Sequence, residues 1–224
     1  MNIKTLNALF FVFLTITVWS QLPKGFSYVK DFSPTIQRDL RYCNHNNFVG
    51  VPIDGYEDDI LITSTLTAKA LQKVQEELKK KGYSLKVFDA YRPQQAVNHF
   101  VRWARVVNDT LMKSLFYPKI NKRNLFKLGY ISSKSGHSRG SSVDLTIVNV
   151  KTHQELDMGS PYDFFGTPSH ITFKKLTPQQ KKNRWLLQKV MIDHGFKPYK
   201  NEWWHFTLKN EPFPETYFNF PIIK

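Results

Sequence analysis

The pentapeptide EWWHF, residues 202–206, places a glutamate and a histidine among two tryptophans and a phenylalanine. A histidine ring nitrogen can bind a transition metal, and a nearby carboxylate can accept a proton from water. Tryptophan pairs are typical of a buried core, so the stretch alone also fits a core strand in which Glu202 and His205 are incidental. A catalytic interpretation therefore needs partners elsewhere in the chain.

A second stretch, SGHSRGSSVD at residues 135–144, supplies such partners. His137 lies in a turn between Gly136 and Gly140, and Asp144 follows it in the chain. Glycines allow the backbone to turn sharply, so the imidazole and the carboxylate can converge on one point. Taken alone, a histidine and an aspartate in a loop are more often surface or capping residues.

Together the two stretches have the composition of a catalytic zinc site, which has three protein ligands and one open position for water. We expect His137, Asp144 and His205 to be the ligands. Glu202 would be the base that takes a proton from the water. The tryptophans would lower the local dielectric constant and fix the ligand rotamers.

Strands must position most of these residues. Residues 142–148 alternate between apolar and polar side chains, which predicts a strand with Asp144 on the face opposite Val143, Leu145 and Ile147.

A further strand is predicted over residues 203–208. Positions three apart in a regular strand face opposite sides. Glu202 and His205 can therefore reach one ion only if Glu202 precedes the regular strand or if a bulge intervenes. Glycine is absent there, and we place Glu202 in the preceding turn.

Helices alternate irregularly with these strands, and the segment 109–134 supports no assignment. The predicted helices cover residues 65–81, Pro93 to about Val107, and Thr177 to near Gly195, with a strand over 84–89. This order predicts an α+β fold with a small antiparallel sheet and flanking helices. No repeat or linker divides residues 21–224, so we expect one domain.

The first twenty residues have the order of a secretory signal peptide, with an early lysine, an apolar run and small residues near the end. The apolar run is short for a bilayer span, although an uncleaved anchor is the alternative. We expect cleavage before Gln21 and an exported protein, periplasmic or extracellular, without a stable membrane anchor.

Charge and cysteine content limit the partners and the sources of stability. Cys43 is the single cysteine, so no intramolecular disulfide can form. The formal net charge is +14, with basic patches at 79–81, 118–127 and 174–184. A nucleic-acid partner would fit the charge, but a signal peptide argues against one. We expect no nucleic-acid binding and a loose association with anionic envelope polymers.

The motifs SxHxxGxxxD and ExxH, with YRP upstream, resemble those of the zinc D-alanyl-D-alanine dipeptidases of the vancomycin-resistance type. These belong to a wider group of zinc D,D- and L,D-peptidases that act on cell-wall peptides. The likeness extends through DLRYCNHNNFVG at 39–50, DAYRP at 89–93 and DMGSPYDF at 157–164. The RYxxxNNFxG and DMGSPYDF segments match the dipeptidase branch.

The resemblance implies one zinc ion (Zn2+) per chain, bound by the three ligands above, with Glu202 as general base. It implies that Arg92 lies beside the scissile carbonyl, where a fixed guanidinium can stabilise an oxyanion. It also places Tyr42, Ser135 and Asp163 in the dipeptide pocket. Asp163 suits the substrate ammonium, and Ser135 and Tyr42 suit its carboxylate. The alternatives are a surface ion pair for Arg92 and turn-capping or core roles for Ser135 and Tyr42.

The expected activity is hydrolysis of the D-alanyl-D-alanine dipeptide to D-alanine in cell-wall peptide turnover. An exported enzyme cannot deplete a cytoplasmic dipeptide pool, so recycling of wall-derived D-alanine is favoured over glycopeptide resistance. The alternatives are a D,D-carboxypeptidase acting on stem peptides and a zinc-bearing binding module without catalysis.

Overall fold

The computed structural model describes residues 22–224. The predicted signal peptide, residues 1–20, lies outside the described residues. Over the described range, four α-helices combine with a five-stranded and a two-stranded sheet, which confirms the predicted α+β class. Among these helices, none has the length and apolar character that crossing a membrane requires.

Seven strands of the described chain, within residues 22–224, build the two sheets. They are Phe26–Tyr28 (β1), Gln37–Arg38 (β2), Ile62–Ser64 (β3), Tyr83–Asp89 (β4), Ser142–Asn149 (β5), Phe196–Tyr199 (β6) and Glu202–Leu208 (β7). The main sheet has the order β2-β4-β5-β7-β6, and β1 pairs with β3 in the smaller one. The edge pair β2–β4 is parallel, whereas the other pairs are antiparallel. The main sheet is therefore mixed, although the prediction made it wholly antiparallel.

The strand register aligns three ionisable residues across the middle of the main sheet. Asp89 of β4 lies opposite Asp144 of β5, and Asp144 lies opposite His205 of β7. Neighbouring strands are about 4.8 Å apart, so these side chains stand next to one another. The sheet itself thus assembles residues that are far apart in sequence.

Strand β5 has the predicted alternation, but both of its faces are buried. Val143, Leu145 and Ile147 pack in the main hydrophobic core, and Asp144 on the other face is only 2% exposed. A carboxylate in such a place needs charged or hydrogen-bonding partners, because desolvation of an unpaired charge is costly.

The prediction that Glu202 lies in a turn before β7 is wrong, because Glu202 is the first residue of that strand. The bulge alternative applies instead. Pro198 of β6 pairs with Phe206, but the next residue, Tyr199, pairs with Glu202, so the register shifts between them. This irregularity allows Glu202 and His205 to face the same cavity.

The described residues also form four α-helices: Thr65–Lys80 (α1), Gln94–Arg105 (α2), Lys113–Phe116 (α3) and Pro178–Asp193 (α4). Helices α1, α2 and α4 correspond to the three predicted ones. Thr177 and Gln180 form a capping box at the start of α4, in which each side chain bonds the other residue's backbone N–H. Helix α3 lies in the segment that supported no assignment.

Two hydrophobic clusters hold these elements together. The first joins α1 and α4 to the main sheet and includes Trp203 and Trp204. The second is rich in aromatic residues and includes Phe48, Phe100 and Trp103. The tryptophan pair is thus part of the core, while the glutamate and histidine of the same pentapeptide line a cavity.

Residues 209–224 cross the loops that follow β4 and precede β5. The Phe218 N–H donates to the Ser138 carbonyl at 2.9 Å, and the Gln94 N–H donates to the Phe218 carbonyl at 3.0 Å. This C-terminal tail therefore connects the turn that carries His137 to the first residue of α2.

Candidate active site

His137 is held in one orientation by backbone contacts. It lies in the short helix Gly136–Arg139, where its N–H donates to the Ser135 hydroxyl at 3.3 Å. Its Nδ1 lies 2.7 Å from the carbonyl oxygen of Ala90. A carbonyl can only accept, so Nδ1 carries a proton, and in the neutral ring Nε2 then presents a lone pair. A lone pair at Nε2 is what a metal ion would require.

That lone pair belongs to a compact group of three donor atoms. His137 Nε2 lies 3.3 Å from Asp144 Oδ1 and 3.2 Å from His205 Nδ1, and the latter two atoms are 3.0 Å apart. In a tetrahedral zinc site with bonds of about 2.0–2.1 Å, two donor atoms are separated by roughly 3.3 Å. Within residues 22–224 these three residues form the group that could hold a metal ion. The donors present therefore fit one zinc ion.

The Asp144 carboxylate is ionised in this environment. Burial opposes its ionisation, but the charges and hydrogen bonds of His137 and His205 outweigh that effect and hold its pKa well below the usual range. The carboxylate thus has the protonation state of a metal ligand.

Glu202 lies beside the donor group without belonging to it. Its Oε2 is 3.7 Å from Nδ1 of His205. Burial raises the pKa of Glu202 to about 7, an effect that His205 partly offsets. A carboxylate with a pKa near neutrality can both accept and return a proton at physiological pH.

Arg92 faces the same group and is anchored by Asp89. Its Nε and Nη2 atoms lie 2.9 and 2.7 Å from Oδ2 of Asp89, and Nη2 is 3.6 Å from Oδ2 of Asp144. The guanidinium carbon lies 5.1 Å from the centre of the Tyr42 ring. The side chain is 12% exposed, so the surface ion pair considered as its alternative role does not describe it.

Asp89 is a functional candidate that the sequence reasoning missed. Besides Arg92, it accepts a hydrogen bond from the hydroxyl of Tyr56 at 2.6 Å and lies 3.5 Å from Nδ1 of His137. This fully buried carboxylate thus holds the Arg92 guanidinium and lies beside the His137 ring. The available signal was its place in DAYRP, at the end of an apolar strand and three residues before Arg92.

A cavity of about 300 Å³ connects all the predicted site residues. Ligand pockets usually measure about 300–1,000 Å³, so this one suits a small molecule. The predicted residues that line it are Tyr42, Arg92, Ser135, His137, Asp144, Asp163, Glu202 and His205.

Asp163 and Tyr42 form one part of the cavity wall. The hydroxyl of Tyr42 donates to Oδ2 of Asp163 at 2.9 Å, and burial raises the pKa of Tyr42 so that this hydroxyl stays protonated. Asp163 has a φ of 57°, an uncommon conformation that asparagine and aspartate tolerate best. Tyr42 therefore lies beside the predicted partner of the substrate ammonium. Its contact with the substrate carboxylate stays a prediction.

The segment that supported no assignment also contributes to the cavity. Gly129, Tyr130, Ile131, Ser132 and Lys134 all line it. The Tyr130 ring stacks on Phe165 with 4.8 Å between centroids, which fixes this part of the wall. Sequence patterns did not reveal this role, because the segment has no regular alternation of apolar residues.

The chain resembles known proteins over nearly its whole length. The family model described as D-ala-D-ala dipeptidase matches residues 23–223. A D-alanyl-D-alanine dipeptidase of Enterococcus faecalis is 40% identical over 201 residues, covering 90% of this chain and 100% of that protein. The proteins of the same name from Enterococcus faecium and Streptomyces coelicolor are 37% and 38% identical, each covering 88% of this chain and 98% of the relative.

Among solved structures, the vancomycin-resistance D,D-pentapeptidase VanY in complex with Zn(II) aligns with a TM-score of 0.41 and 15% identity. The alignment covers 66% of this chain and 74% of that one.

Proposed function

Because the chain belongs to the D-Ala-D-Ala dipeptidase family, we propose that it is a zinc metallopeptidase that hydrolyses D-alanyl-D-alanine to D-alanine. The observation that carries the proposal is the triangle of donor atoms from His137, Asp144 and His205, with Glu202 beside it in a small cavity. One zinc ion per chain would bind these donors. Such an ion acts as a Lewis acid and lowers the pKa of a water in its open position.

Glu202 handles the proton in this mechanism. Its carboxylate takes a proton from the attacking water and returns it to the amine of the departing D-alanine. The two tasks require a group that ionises near the working pH, which agrees with the raised pKa of Glu202. A purely structural metal site would need no such base.

Arg92 stabilises negative charge that develops on the scissile carbonyl oxygen. Its guanidinium lines the cavity and is held in place by Asp89. Because this orientation exists before substrate binds, little reorganisation is needed when the tetrahedral oxyanion forms.

The cavity wall accounts for a preference for a free dipeptide. Asp163 is buried and would receive the substrate ammonium, whose charge would favour the ionised form of the carboxyl group. The Ser135 hydroxyl, which accepts from the His137 N–H, can still donate to the substrate carboxylate. A peptide that continues beyond the ammonium would place a neutral amide against Asp163, at a cost in binding.

A release assay tests the proposal. D-alanine release from D-alanyl-D-alanine should disappear after chelation and return with zinc, and metal analysis should give one zinc per chain. Under the same conditions, a pentapeptide stem ending in D-alanyl-D-alanine should be cleaved far more slowly. Faster cleavage of the stem would instead indicate a D,D-carboxypeptidase. Zinc binding without hydrolysis of either substrate would indicate a binding module.

We further propose that the protein is exported and recycles wall-derived D-alanine, on the evidence of the leader pattern in residues 1–20. Fractionation and N-terminal sequencing should find a chain that starts near Gln21 outside the cytoplasm. Full activity with an uncut leader in the cytosol would contradict this. The net charge of +14 supports a loose association with anionic envelope polymers, which moderate salt should release.

A further inference from the structure

His205 presents the opposite ring nitrogen to the metal group from the one that His137 presents. Its Nδ1 lies 3.0 Å from Asp144 Oδ1 and 3.2 Å from His137 Nε2. A neutral imidazole that uses Nδ1 as ligand must carry its proton on Nε2. In His137 the Ala90 carbonyl fixes the tautomer, so an equivalent partner is needed at Nε2 of His205.

Among the described residues, the hydrogen-bond partner of that Nε2 is the hydroxyl of Thr207. The Thr207 Oγ1 lies 3.4 Å from His205 Nε2 and 2.7 Å from Ser142 Oγ. Thr207 and Ser142 are direct register partners on β7 and β5, and both are buried. A hydroxyl can donate to one group while it accepts from another, so Thr207 can hydrogen-bond with Ser142 and with His205 at the same time.

From this geometry we infer that Thr207 and Ser142 are positioning residues for the metal site. Thr207 accepts the Nε2 proton of His205, and Ser142 holds the Thr207 hydroxyl in place. The pair thereby sets the tautomer and the ring orientation that expose Nδ1 to the metal. The inference rests on the zinc site of the proposed function.

Space for the Ser142 hydroxyl comes from Gly136, the residue before His137. A Cβ atom at Gly136 would approach Ser142 Oγ to 2.5 Å. The hydroxyl pair that supports one ligand histidine therefore packs directly against the turn that carries the other. Such close packing limits movement of both ligands.

The alternative is a purely structural role, in which the two hydroxyls form an ordinary cross-strand pair that adds about 0.2–1 kcal/mol to sheet stability. Zinc affinity separates the two roles, because a merely structural pair would leave it unchanged.

The chain also offers a matched control. Thr146 lies on β5 and is fully buried, and its Oγ1 is without a hydrogen-bond partner within residues 22–224.

Zinc dissociation constants should be measured by competition with a chelator for the wild type and for four variants. We expect Thr207→Val to bind zinc about 10–100-fold more weakly, and Ser142→Ala to show a smaller loss. Thr207→Ser, which keeps the hydroxyl, and the Thr146→Val control should bind like the wild type. Equal affinity of Thr207→Val and wild type would overturn the inference, as would an equal loss in Thr146→Val.

A second measurement on the zinc-loaded wild type needs no variant. Nitrogen-15 NMR should find His205 protonated at Nε2 and metal-bound through Nδ1, and the reverse tautomer would overturn the inference. A wild type that binds no zinc would overturn the proposed function as well. Zinc binding with the expected Thr207 effect, but without D-alanine release, would contradict the proposed function alone.

Discussion

A single oxygen of Asp89, Oδ2, lies within hydrogen-bond distance of both Nε and Nη2 of Arg92. This contact fixes the guanidinium while leaving other N–H groups to face the cavity. Asp89 also neighbours Nδ1 of His137, so the arginine that we propose as oxyanion stabiliser and a proposed zinc ligand share one buried neighbour.

Removing the charge of Asp89 should therefore impair turnover. Asp89→Asn keeps the shape of the side chain but weakens its hold on Arg92, because a hydrogen bond between two charged groups is about twice as strong as a neutral one. We expect kcat to fall about 10-fold or more, measured by D-alanine release. Asp59→Asn is the matched control, since Asp59 forms an exposed pair with Arg38. Unchanged kcat in Asp89→Asn would show that Arg92 does not need this support.

Arg92→Lys should preserve the positive charge and still lose most activity. Lysine cannot reproduce the planar pair of contacts with Asp89, so its ammonium would not be aimed at the oxyanion. We expect kcat to fall about 10²–10³-fold with the zinc content unchanged. Arg102→Lys, at an exposed ion pair with Asp54, should keep wild-type kcat. Full kcat in the Arg92→Lys variant would remove Arg92 from the mechanism.

Glu202→Gln should abolish proton transfer without emptying the metal site, because Glu202 lies outside the group of three donors. We expect kcat to fall about 10²–10⁴-fold, with zinc content measured on the same sample. The exposed Glu215→Gln serves as control. Loss of zinc together with activity would make Glu202 a ligand rather than a base.

The wild-type pH profile tests the same residue independently. Glu202 must be ionised to accept a proton, so kcat/KM should rise as pH rises through its pKa. Burial places that pKa at about 7, and a bound cation lowers it. The acidic limb should therefore have its midpoint at or below about pH 7. A midpoint well above neutrality would contradict the assignment.

Asp163→Asn should weaken substrate binding and stabilise the metal-free protein. Burial, reinforced by the charge of Asp144, raises the pKa of Asp163 well above the usual range. The folded state therefore favours the protonated carboxyl group, which adds to the free energy of unfolding at low pH. That contribution is lost as pH rises from about 4 through the raised pKa. Asparagine stays neutral and tolerates the φ of 57°, so it avoids this loss.

Thermal unfolding and kinetics together check this prediction. The unfolding midpoint of Asp163→Asn should exceed that of the wild type at neutral pH, with the difference shrinking toward about pH 4. The KM for D-alanyl-D-alanine should rise about 10–100-fold, because a charge-assisted contact with the ammonium is lost. An unchanged KM would mean that the ammonium binds elsewhere.

Much of this architecture could be predicted because its signals are local. The predicted helix ranges agree with α1, α2 and α4, and alternation of side chains identified β5 with Asp144 on the face opposite the core residues. Residue types in two short motifs, together with their resemblance to a known family, predicted the three residues that the structure brings together as candidate metal donors.

The missed features depend on contacts that no local pattern encodes. Asp89 acquires its role only because β4 and β5 align it with Asp144, and Glu202 faces the cavity because β6 and β7 lose regular register. The wall around Tyr130 comes from a segment without periodicity, held by aromatic packing on Phe165.

The C-terminal tail has a consequence for biogenesis. The Phe218 N–H donates to a carbonyl in the turn that carries His137, and the Ile222 N–H donates to the Gly55 carbonyl. The ribosome adds both tail residues after every proposed ligand and the proposed base. A nascent chain can contain the complete metal-binding set and still lack the segment that braces it. We therefore expect stable zinc binding only after residues 218–222 have been synthesised.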